Sequence, residues 1–224
     1  MNQTTTERRL APLPPYVQLR GFLSEGDHRE LLGWTLDNAQ EFAPATVKGN
    51  GGMTGRIDTE QRIALIADLP PAMIGRLKAL LGEAFSEIAD AIGYSGPTPS
   101  SYEIQVAAHG DGAHYQPHLD VPLGEKRTPL GAAPGEDRVL SAVYYFHRQP
   151  KGFSGGALRL HRFSADWDRT DADPSCYVDI EPLDNSLVAF PSWAMHEVRP
   201  VSCPSGRFED YRFALNCWFC RPTT

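Results

Sequence analysis

The chain has 224 residues, of which 41% are hydrophobic and 22% charged, a composition that suits a globular domain with a sizeable core and excludes a disordered tail. Its 21 basic and 28 acidic residues give a net charge of −7, which disfavours a nucleic-acid or anionic-membrane partner. The sequence has neither the roughly 18 uncharged apolar residues of a spanning helix nor the apolar segment of a signal peptide. We therefore expect a cytoplasmic protein of undetermined oligomeric state.

The 20 glycines and 19 prolines favour short strands and turns over a helical bundle. They are spread along the whole chain without a linker, so we expect one domain over residues 1–224. The four cysteines are too few for a disulfide scaffold in a chain of this size, and we expect free thiols.

Two helices are predicted before residue 99. The first starts at Ser24, which Asp27 follows three residues later in a pattern resembling a capping box. The second is amphipathic, opened by Pro70 and Pro71 and closed by Gly93. Its apolar side chains recur at steps of three and four: Ile74, Leu77, Leu81, Phe85, Ile88 and Ile92. Residues 1–99 are thus expected to form a helical N-terminal support region, in which residues 49–62 have no clear pattern.

Strand-like runs separated by Gly, Pro and Asp replace the helical period after residue 100. They cover residues 102–107, 113–120, 138–147, 157–161, 176–181, 186–190, 196–201 and 211–219. Eight short strands favour a sandwich or barrel. We therefore predict a mainly β fold with a jelly-roll core over residues 100–220 and the N-terminal helices packed on one face. Residues 122–137 and 162–174 are predicted as long loops.

Two histidines and an aspartate form the most informative pattern for chemistry. His118 and Asp120 point to the same face if both lie in one strand, and a second strand can bring His196 against them. Two histidines and one carboxylate on one face of a metal form the facial triad of non-haem Fe(II) oxygenases.

Five ordered motifs extend this pattern: residues 115–120 (YQPHLD), 144–146 (YYF), 155–158 (GGAL), 196–201 (HEVRPV) and 212–218 (RFALNCW). With them the chain resembles the Fe(II)/2-oxoglutarate-dependent dioxygenases, and among these the prolyl 4-hydroxylase-like group. The resemblance implies a double-stranded β-helix core in which His118, Asp120 and His196 bind Fe(II). It also implies 2-oxoglutarate and O₂ as co-substrates, with L-ascorbate as a candidate reductant.

The same family requires a cation for the far carboxylate of 2-oxoglutarate. Arg207 lies eleven residues after His196 and Arg212 sixteen, and both are candidates. Arg207 follows a Pro-Ser-Gly turn, whereas alternation places Arg212, Ala214, Asn216 and Trp218 on one face of a strand. We therefore predict Arg212, whose planar fork suits a carboxylate.

Only one of the adjacent residues Tyr144 and Tyr145 can face inward from a strand. The family match selects Tyr145 and assigns it to the same carboxylate. Tyr115 matches a tyrosine at the pocket mouth, and Trp218 is placed with Arg212 on the predicted cofactor-binding face. The remaining histidines receive no role, and the Cys217-to-Cys220 spacing is read as buried thiols, since no second cysteine pair completes a zinc site.

The resemblance implies hydroxylation of an unactivated C–H bond with release of succinate and CO₂, most directly on a prolyl residue of a peptide or protein. The intact Asp120 favours hydroxylation, because related halogenases carry Gly or Ala there. A free amino acid or small metabolite is the alternative substrate class. A cupin-type metal enzyme or a non-catalytic jelly-roll binding module are the alternatives from other classes. Residues 165–184 carry seven acidic residues and Trp167, and could form a lid over the substrate or a solvated loop.

Overall fold

The structure is a computed structural model that describes residues 13–46, 56–121, 136–162 and 176–222. Its elements before residue 100 are β1 (Val17–Arg20), α1 (Glu25–Asp37), a 3-10 helix (Ala39–Glu41), β2 (Ala43–Pro44), β3 (Arg62–Ile63), β4 (Leu65–Ala67) and α2 (Pro71–Ile92). After residue 100 come β5 (Ser101–His109), β6 (His114–His118), β7 (Glu136–Phe146), β8 (Ser154–Gly155), β9 (Leu158–His161), β10 (Tyr177–Ile180), β11 (Ser186–Pro191), β12 (His196–Val198), β13 (Val201–Ser202), a 3-10 helix (Phe208–Asp210) and β14 (Arg212–Pro222).

The strands form two main antiparallel sheets. The major sheet has seven strands in the order β1-β11-β7-β14-β5-β4-β2, and the minor sheet has five in the order β10-β9-β12-β6-β3. Strands β8 and β13 form a separate antiparallel pair. A strand occurs within each of the eight runs predicted after residue 100, so the predicted fold class is confirmed: a mainly β, jelly-roll sandwich with two supporting helices.

Both helices form where the sequence predicts them. The Ser24 hydroxyl accepts a hydrogen bond from the Asp27 backbone N–H at 3.1 Å and caps α1. Pro71 occupies the first turn of α2, and Gly93 ends that helix. The apolar faces of the helices pack on one side of the major sheet, where Leu31, Leu77, Leu81 and Ile88 join a single buried core with strand residues. No helix in the described part of the chain is long and apolar enough to cross a bilayer.

A second, smaller core lies between the two sheets. It joins residues of the major sheet, Tyr145, Val188, Phe190 and Ala214, to residues of the minor sheet, Leu158, Leu160 and Ile180. Alternation along β7 therefore separates its adjacent tyrosines as predicted. Tyr144 lies with the helix-side core and Tyr145 with the inner core between the sheets.

The helical description of residues 1–99 omits four short strands. Strands β1, β2 and β4 extend the major sheet, and β3 forms the edge of the minor sheet. Their length explains the omission, because two to four residues are too few to show a period-two pattern. All four cysteines are free, as expected, with Cys217 and Cys220 buried.

The predicted acidic lid lies largely outside the described residues. Residues 163–175, including Trp167, belong to the part of the chain that the structure does not describe, as do residues 122–135 of the other predicted long loop. Of the remainder, Asp179 lies on β10 and accepts two hydrogen bonds from the Arg159 guanidinium, at 2.7 and 2.8 Å. Asp184 accepts a hydrogen bond from the His147 backbone N–H.

Candidate metal and co-substrate site

The minor sheet brings the two predicted histidine ligands together, and the turn after β6 adds Asp120. His118 ends β6, His196 begins β12, and the two residues are paired in register across these antiparallel strands. Asp120 lies two residues beyond the end of β6. Its carboxylate oxygens are 3.9 Å from His118 Nε2 and 3.6 Å from His196 Nε2. The ligand atoms of all three residues lie within 4.8 Å of one another.

Backbone carbonyls fix the orientation of both imidazoles. His118 Nδ1 lies 2.8 Å from the Gln116 carbonyl, and His196 Nδ1 lies 2.8 Å from the Ala194 carbonyl. Because a carbonyl can only accept, each Nδ1 donates, which leaves Nε2 as the ring nitrogen that faces Asp120. Burial, reinforced by neighbouring His196, lowers the pKa of His118 to about 3. The ring is therefore neutral and able to coordinate at physiological pH.

Asp120 is held by contacts to the major sheet. The Ser141 hydroxyl on β7 donates to Asp120 Oδ2 at 2.5 Å, and Ser141 also contacts the Ser192 hydroxyl at 2.9 Å. Burial alone would raise the pKa of Asp120, but the two imidazoles and this hydrogen bond outweigh it and hold the pKa below its usual value. Two imidazole nitrogens and one carboxylate are a donor set that fits Fe(II).

The strand predicted over residues 113–120 extends two residues further at its C-terminal end than the observed strand β6. Strand β6 stops at His118, so strand alternation does not account for the position of Asp120. Its backbone N–H instead donates to the Ser192 carbonyl at 3.3 Å, after the chain has left the sheet. This turn, together with the Ser141 hydrogen bond, brings the carboxylate back to the two histidines.

A cavity of about 440 Å³ between the sheets adjoins the three ligands. Arg212 is 1% exposed on its wall, and its guanidinium carbon lies 4.7 Å from the centre of the Tyr145 ring. The Tyr145 hydroxyl and Arg212 Nε are buried next to one another, and neither has a well-aligned hydrogen bond to a described residue. Burial raises the pKa of Tyr145, so its hydroxyl remains a donor. Two unpartnered donors side by side fit the far carboxylate of 2-oxoglutarate.

The structure places the other predicted residues as follows. Trp218 and Tyr115 both line the cavity. Tyr115 stacks on His118 with ring centres 3.6 Å apart, and the Arg138 guanidinium lies 3.8 Å from the centre of the Trp218 ring. Arg207 lies outside this wall, on the surface, where it pairs with Asp210 at 2.7 Å. Of the two arginines that the sequence leaves open, Arg212 is the one in the cavity.

Comparison with known proteins identifies the family to which the chain belongs. A model of the 2OG-Fe(II) oxygenase superfamily matches residues 104–220, more than half of the chain. The chain belongs to this superfamily. The oxygenase is 29% identical over 205 residues to an uncharacterized PKHD-type hydroxylase of Synechocystis, covering 91% of this chain but only 62% of that relative.

Solved structures of prolyl hydroxylases are similar to this oxygenase. A prolyl-4-hydroxylase from Pseudomonas putida is 26% identical, with a TM-score of 0.61 over 93% of this chain and 94% of the other. A prolyl hydroxylase from Trichoplax adhaerens, solved with a peptide fragment of hypoxia inducible factor, shares the fold at 19% identity. Its TM-score is also 0.61, over 92% and 83% of the two chains.

Sequence reasoning missed His109, which lies beside Arg212. The two residues are paired in register on β5 and β14, and Arg212 Nη1 lies 3.1 Å from His109 Nδ1. Because a guanidinium only donates, the His109 ring must accept and be neutral. Part of a signal was present in the sequence: Glu103 and Gln105 alternate in the strand predicted over residues 102–107. The observed strand β5 continues to His109 on the same face, and all three side chains line the cavity. Such a polar face in a core strand indicates a site.

Arg138 was also missed, for a different reason. Strand alternation from Tyr145 would place Arg138 on the helix side of β7, because the two residues are seven apart. The pairing of β7 with β14 instead skips Val139, since Phe219 faces Leu140 and Cys220 faces Arg138. This β-bulge turns Arg138 into the cavity, where it forms an ion pair with Glu103 at 2.5 Å. A bulge is not visible in the hydrophobic pattern.

The free energy of unfolding of the metal-free protein should decrease as the pH is lowered, because of His109. Burial, aided by the charge of Arg212, lowers the pKa of His109 well below its usual value, whereas the unfolded chain takes up the proton near pH 6.5. The unfolded state thus binds more protons, and folding becomes less favourable as pH falls below about 6.5. His109→Gln keeps an acceptor but cannot titrate, so it should reduce the slope by up to about 1.4 kcal/mol per pH unit.

Urea unfolding at pH 7.5, 6.5 and 5.5 measures this slope. The matched control is His114→Gln, at the other end of the same turn and outside the cavity lining. A slope in His109→Gln equal to that of the unmodified chain would show that His109 is already protonated in the folded state.

Gly156 should be required for the position of Arg212. Its φ is +71°, and a Cβ there would lie 2.6 Å from Arg212 Cδ and 2.9 Å from Val201 Cγ2. Gly112 also has a φ of +71° but has nothing within 4 Å of such a Cβ. Alanine at either position should cost about 1–2 kcal/mol of stability through its backbone. Only Gly156→Ala should displace Arg212 and weaken 2-oxoglutarate binding, by roughly tenfold. Titration of the co-substrate into both variants compares them, and equal affinities would contradict the expectation.

Proposed function

We propose that this oxygenase hydroxylates an unactivated C–H bond, using Fe(II), 2-oxoglutarate and O₂ and releasing succinate and CO₂. One oxygen atom of O₂ enters the new hydroxyl group and the other enters succinate, so the reaction balances without a further reductant. The observation that carries the proposal is the meeting, in one cavity, of a His-Asp-His donor set with two unpartnered buried donors, Tyr145 Oη and Arg212 Nε. A binding module has no need of both features.

The roles of the residues follow from their placement. His118, Asp120 and His196 would hold Fe(II), which when bound supplies the activation of O₂. Arg212 and Tyr145 would hold the far carboxylate of 2-oxoglutarate and so orient the opposite end of that molecule towards the three ligands. His109 keeps the Arg212 guanidinium in place, and Ser141 keeps the Asp120 carboxylate in place. Apolar side chains of the inner core, Leu158 among them, line part of this space.

We further propose that the acceptor is a prolyl residue of a peptide or protein. The similar P. putida structure is a prolyl-4-hydroxylase, and the Trichoplax relative of the same fold holds a peptide. L-Ascorbate belongs to the same proposal as an accessory reductant that maintains the ferrous iron, and its addition to the turnover assay tests it.

The first experiment tests the metal and co-substrate site. Anaerobic addition of Fe(II) and 2-oxoglutarate should produce a weak visible charge-transfer band, and neither addition alone should do so. Absence of the band, with zinc or no metal in the purified protein, would favour a cupin-type enzyme or a binding module instead.

The second experiment identifies the acceptor. Succinate release is measured with prolyl peptides, free amino acids and fractions of cell extract, each against 2-oxoglutarate alone. Stimulation by prolyl peptides, with an added mass of one oxygen atom, supports the proposal. Stimulation by free amino acids or small metabolites only would replace the prolyl acceptor while leaving the reaction type intact.

A further inference from the structure

Arg62 reaches the cavity from an element that the sequence did not predict. It lies on β3, the edge strand of the minor sheet, in register with Tyr115 of β6, and Tyr115 is paired in turn with Val198 of β12. These three side chains line the same cavity wall. The Arg62 guanidinium carbon lies 5.0 Å from the centre of the Tyr115 ring, whose other contact is the stacked His118. Arg62 is therefore one aromatic ring away from a metal ligand.

The Arg62 guanidinium makes no direct ion pair in the described part of the chain, although the Asp120 carboxylate is near enough to act on it electrostatically. It is half-buried, it makes neither an ion pair nor a hydrogen bond with any described residue, and its Nε is fully enclosed. The other two arginines of the cavity differ. Arg138 is paired with Glu103, and Arg212 has His109 and the proposed 2-oxoglutarate carboxylate. A half-buried charge whose Nε is enclosed and unpaired is costly, which suggests that a ligand provides an anion.

The charge of the described cavity wall supports the same conclusion. Its charged side chains are three arginines and two carboxylates, Glu103 and Asp120. Fe(II) and the 2-oxoglutarate dianion cancel one another, so the loaded cavity keeps one uncompensated positive charge. Because Glu103 neutralises Arg138 and the metal takes Asp120, this charge belongs to Arg62. A neutral substrate would leave this half-buried charge without an ion pair.

We infer that the substrate of this oxygenase carries a carboxylate, and that Arg62 binds it beside Tyr115. The inference rests on the proposed function and narrows its substrate class to acids. The carboxylate has two sources in this class, a free α-carboxylate at a C-terminus or on an amino acid, and an acidic side chain next to the hydroxylated residue. The planar guanidinium binds either one with two parallel hydrogen bonds.

Paired ligands that differ only in charge test the inference. The first set contains N-acetyl amino acids, including N-acetylproline, and the corresponding amides. The second contains prolyl tripeptides with an amidated C-terminus and either Glu or Gln beside the proline. Binding is followed anaerobically, at saturating 2-oxoglutarate, as a change in the Fe(II)–2-oxoglutarate absorption band. Acids of at least one set should bind about tenfold or more tightly than their neutral partners, as expected for a charge-assisted hydrogen bond.

Three variants assign the preference to Arg62. Arg62→Gln should bring the acid and its neutral partner within about twofold, and Arg62→Lys, which keeps the charge, should retain part of the difference. Arg207→Gln, an exposed arginine outside the cavity, should retain all of it. Thermal unfolding shows whether each variant is folded, and Arg62→Lys serves if Arg62→Gln is not.

The outcomes separate this inference from the proposed function. If the band never forms, the proposed function fails. If the band forms but acids and amides bind equally, if no acid binds, or if the preference survives in Arg62→Gln, the carboxylate inference is overturned and the oxygenase assignment stands. The set that shows the preference identifies the source of the carboxylate.

Discussion

Asp120→Ala should reduce succinate release by more than about 100-fold and abolish the Fe(II)–2-oxoglutarate absorption band. Losing a hydrogen-bond partner of a metal ligand typically costs 10–100-fold in metal affinity or activity, so losing the ligand itself should cost more. The substitution removes the only carboxylate among the three candidate ligands and leaves two imidazoles. Ser141 and Ser192, whose hydroxyls lie 2.9 Å apart, can still bond to one another in this variant.

Two further variants, one intermediate case and one control, are compared with Asp120→Ala. Ser141→Ala keeps the carboxylate but removes its 2.5 Å hydrogen bond, and should fall between the unmodified chain and Asp120→Ala. Asp179→Ala removes a carboxylate that pairs with Arg159 on the minor sheet, and should leave turnover within about twofold. Succinate release and the anaerobic spectrum are recorded for all three. Turnover that survives in Asp120→Ala would overturn the assignment of the metal site.

Arg212→Met should weaken 2-oxoglutarate binding by at least about 100-fold. A hydrogen bond to a charged group contributes about 1.5–3 kcal/mol, and a guanidinium can donate two to one carboxylate. Methionine fills much of the buried volume without a donor or a charge. The loss should appear in the affinity for 2-oxoglutarate, measured by titration of the absorption band, while Fe(II) binding to the three ligands is affected less.

Arg207→Met is the matched control for Arg212→Met. Arg207 is the alternative that sequence spacing leaves open, but its side chain is 62% exposed and pairs with Asp210 on the surface. Its replacement should change 2-oxoglutarate affinity by less than about twofold. If Arg207→Met were the variant that loses affinity, the co-substrate would bind outside the cavity described above.

Most of the fold follows from local patterns in the sequence. The Ser24 cap, the Pro71 start and the Gly93 end of the helices are one-residue signals with a direct physical cause, and the structure reproduces all three. Strands β7 and β14 have 11 residues each and are long enough to alternate, so their inner and helix-side faces could be assigned. Strands β1 to β4 could not, because they are two to four residues long.

The candidate site was predictable only in part. Residues whose position depends on alternation alone, such as Tyr145 and Arg212, are placed where the pattern puts them. Asp120 reaches the site through a turn after β6, and Arg138 through a bulge at Val139. Arg62 depends on an edge strand of two residues. These three positions are set by tertiary pairing, which no local period encodes.

The division of the site between two sheets has a mechanical consequence. Both imidazole ligands stand on the minor sheet, whereas Arg212, Tyr145 and His109 stand on the major sheet. A metal and co-substrate bound together would fasten one layer to the other across the sandwich. Each would therefore be held more firmly in the presence of the other, and the filled protein would resist separation of its layers more than the empty one. Occupancy of the site would therefore stabilise the packing of the two sheets in addition to its role in the reaction.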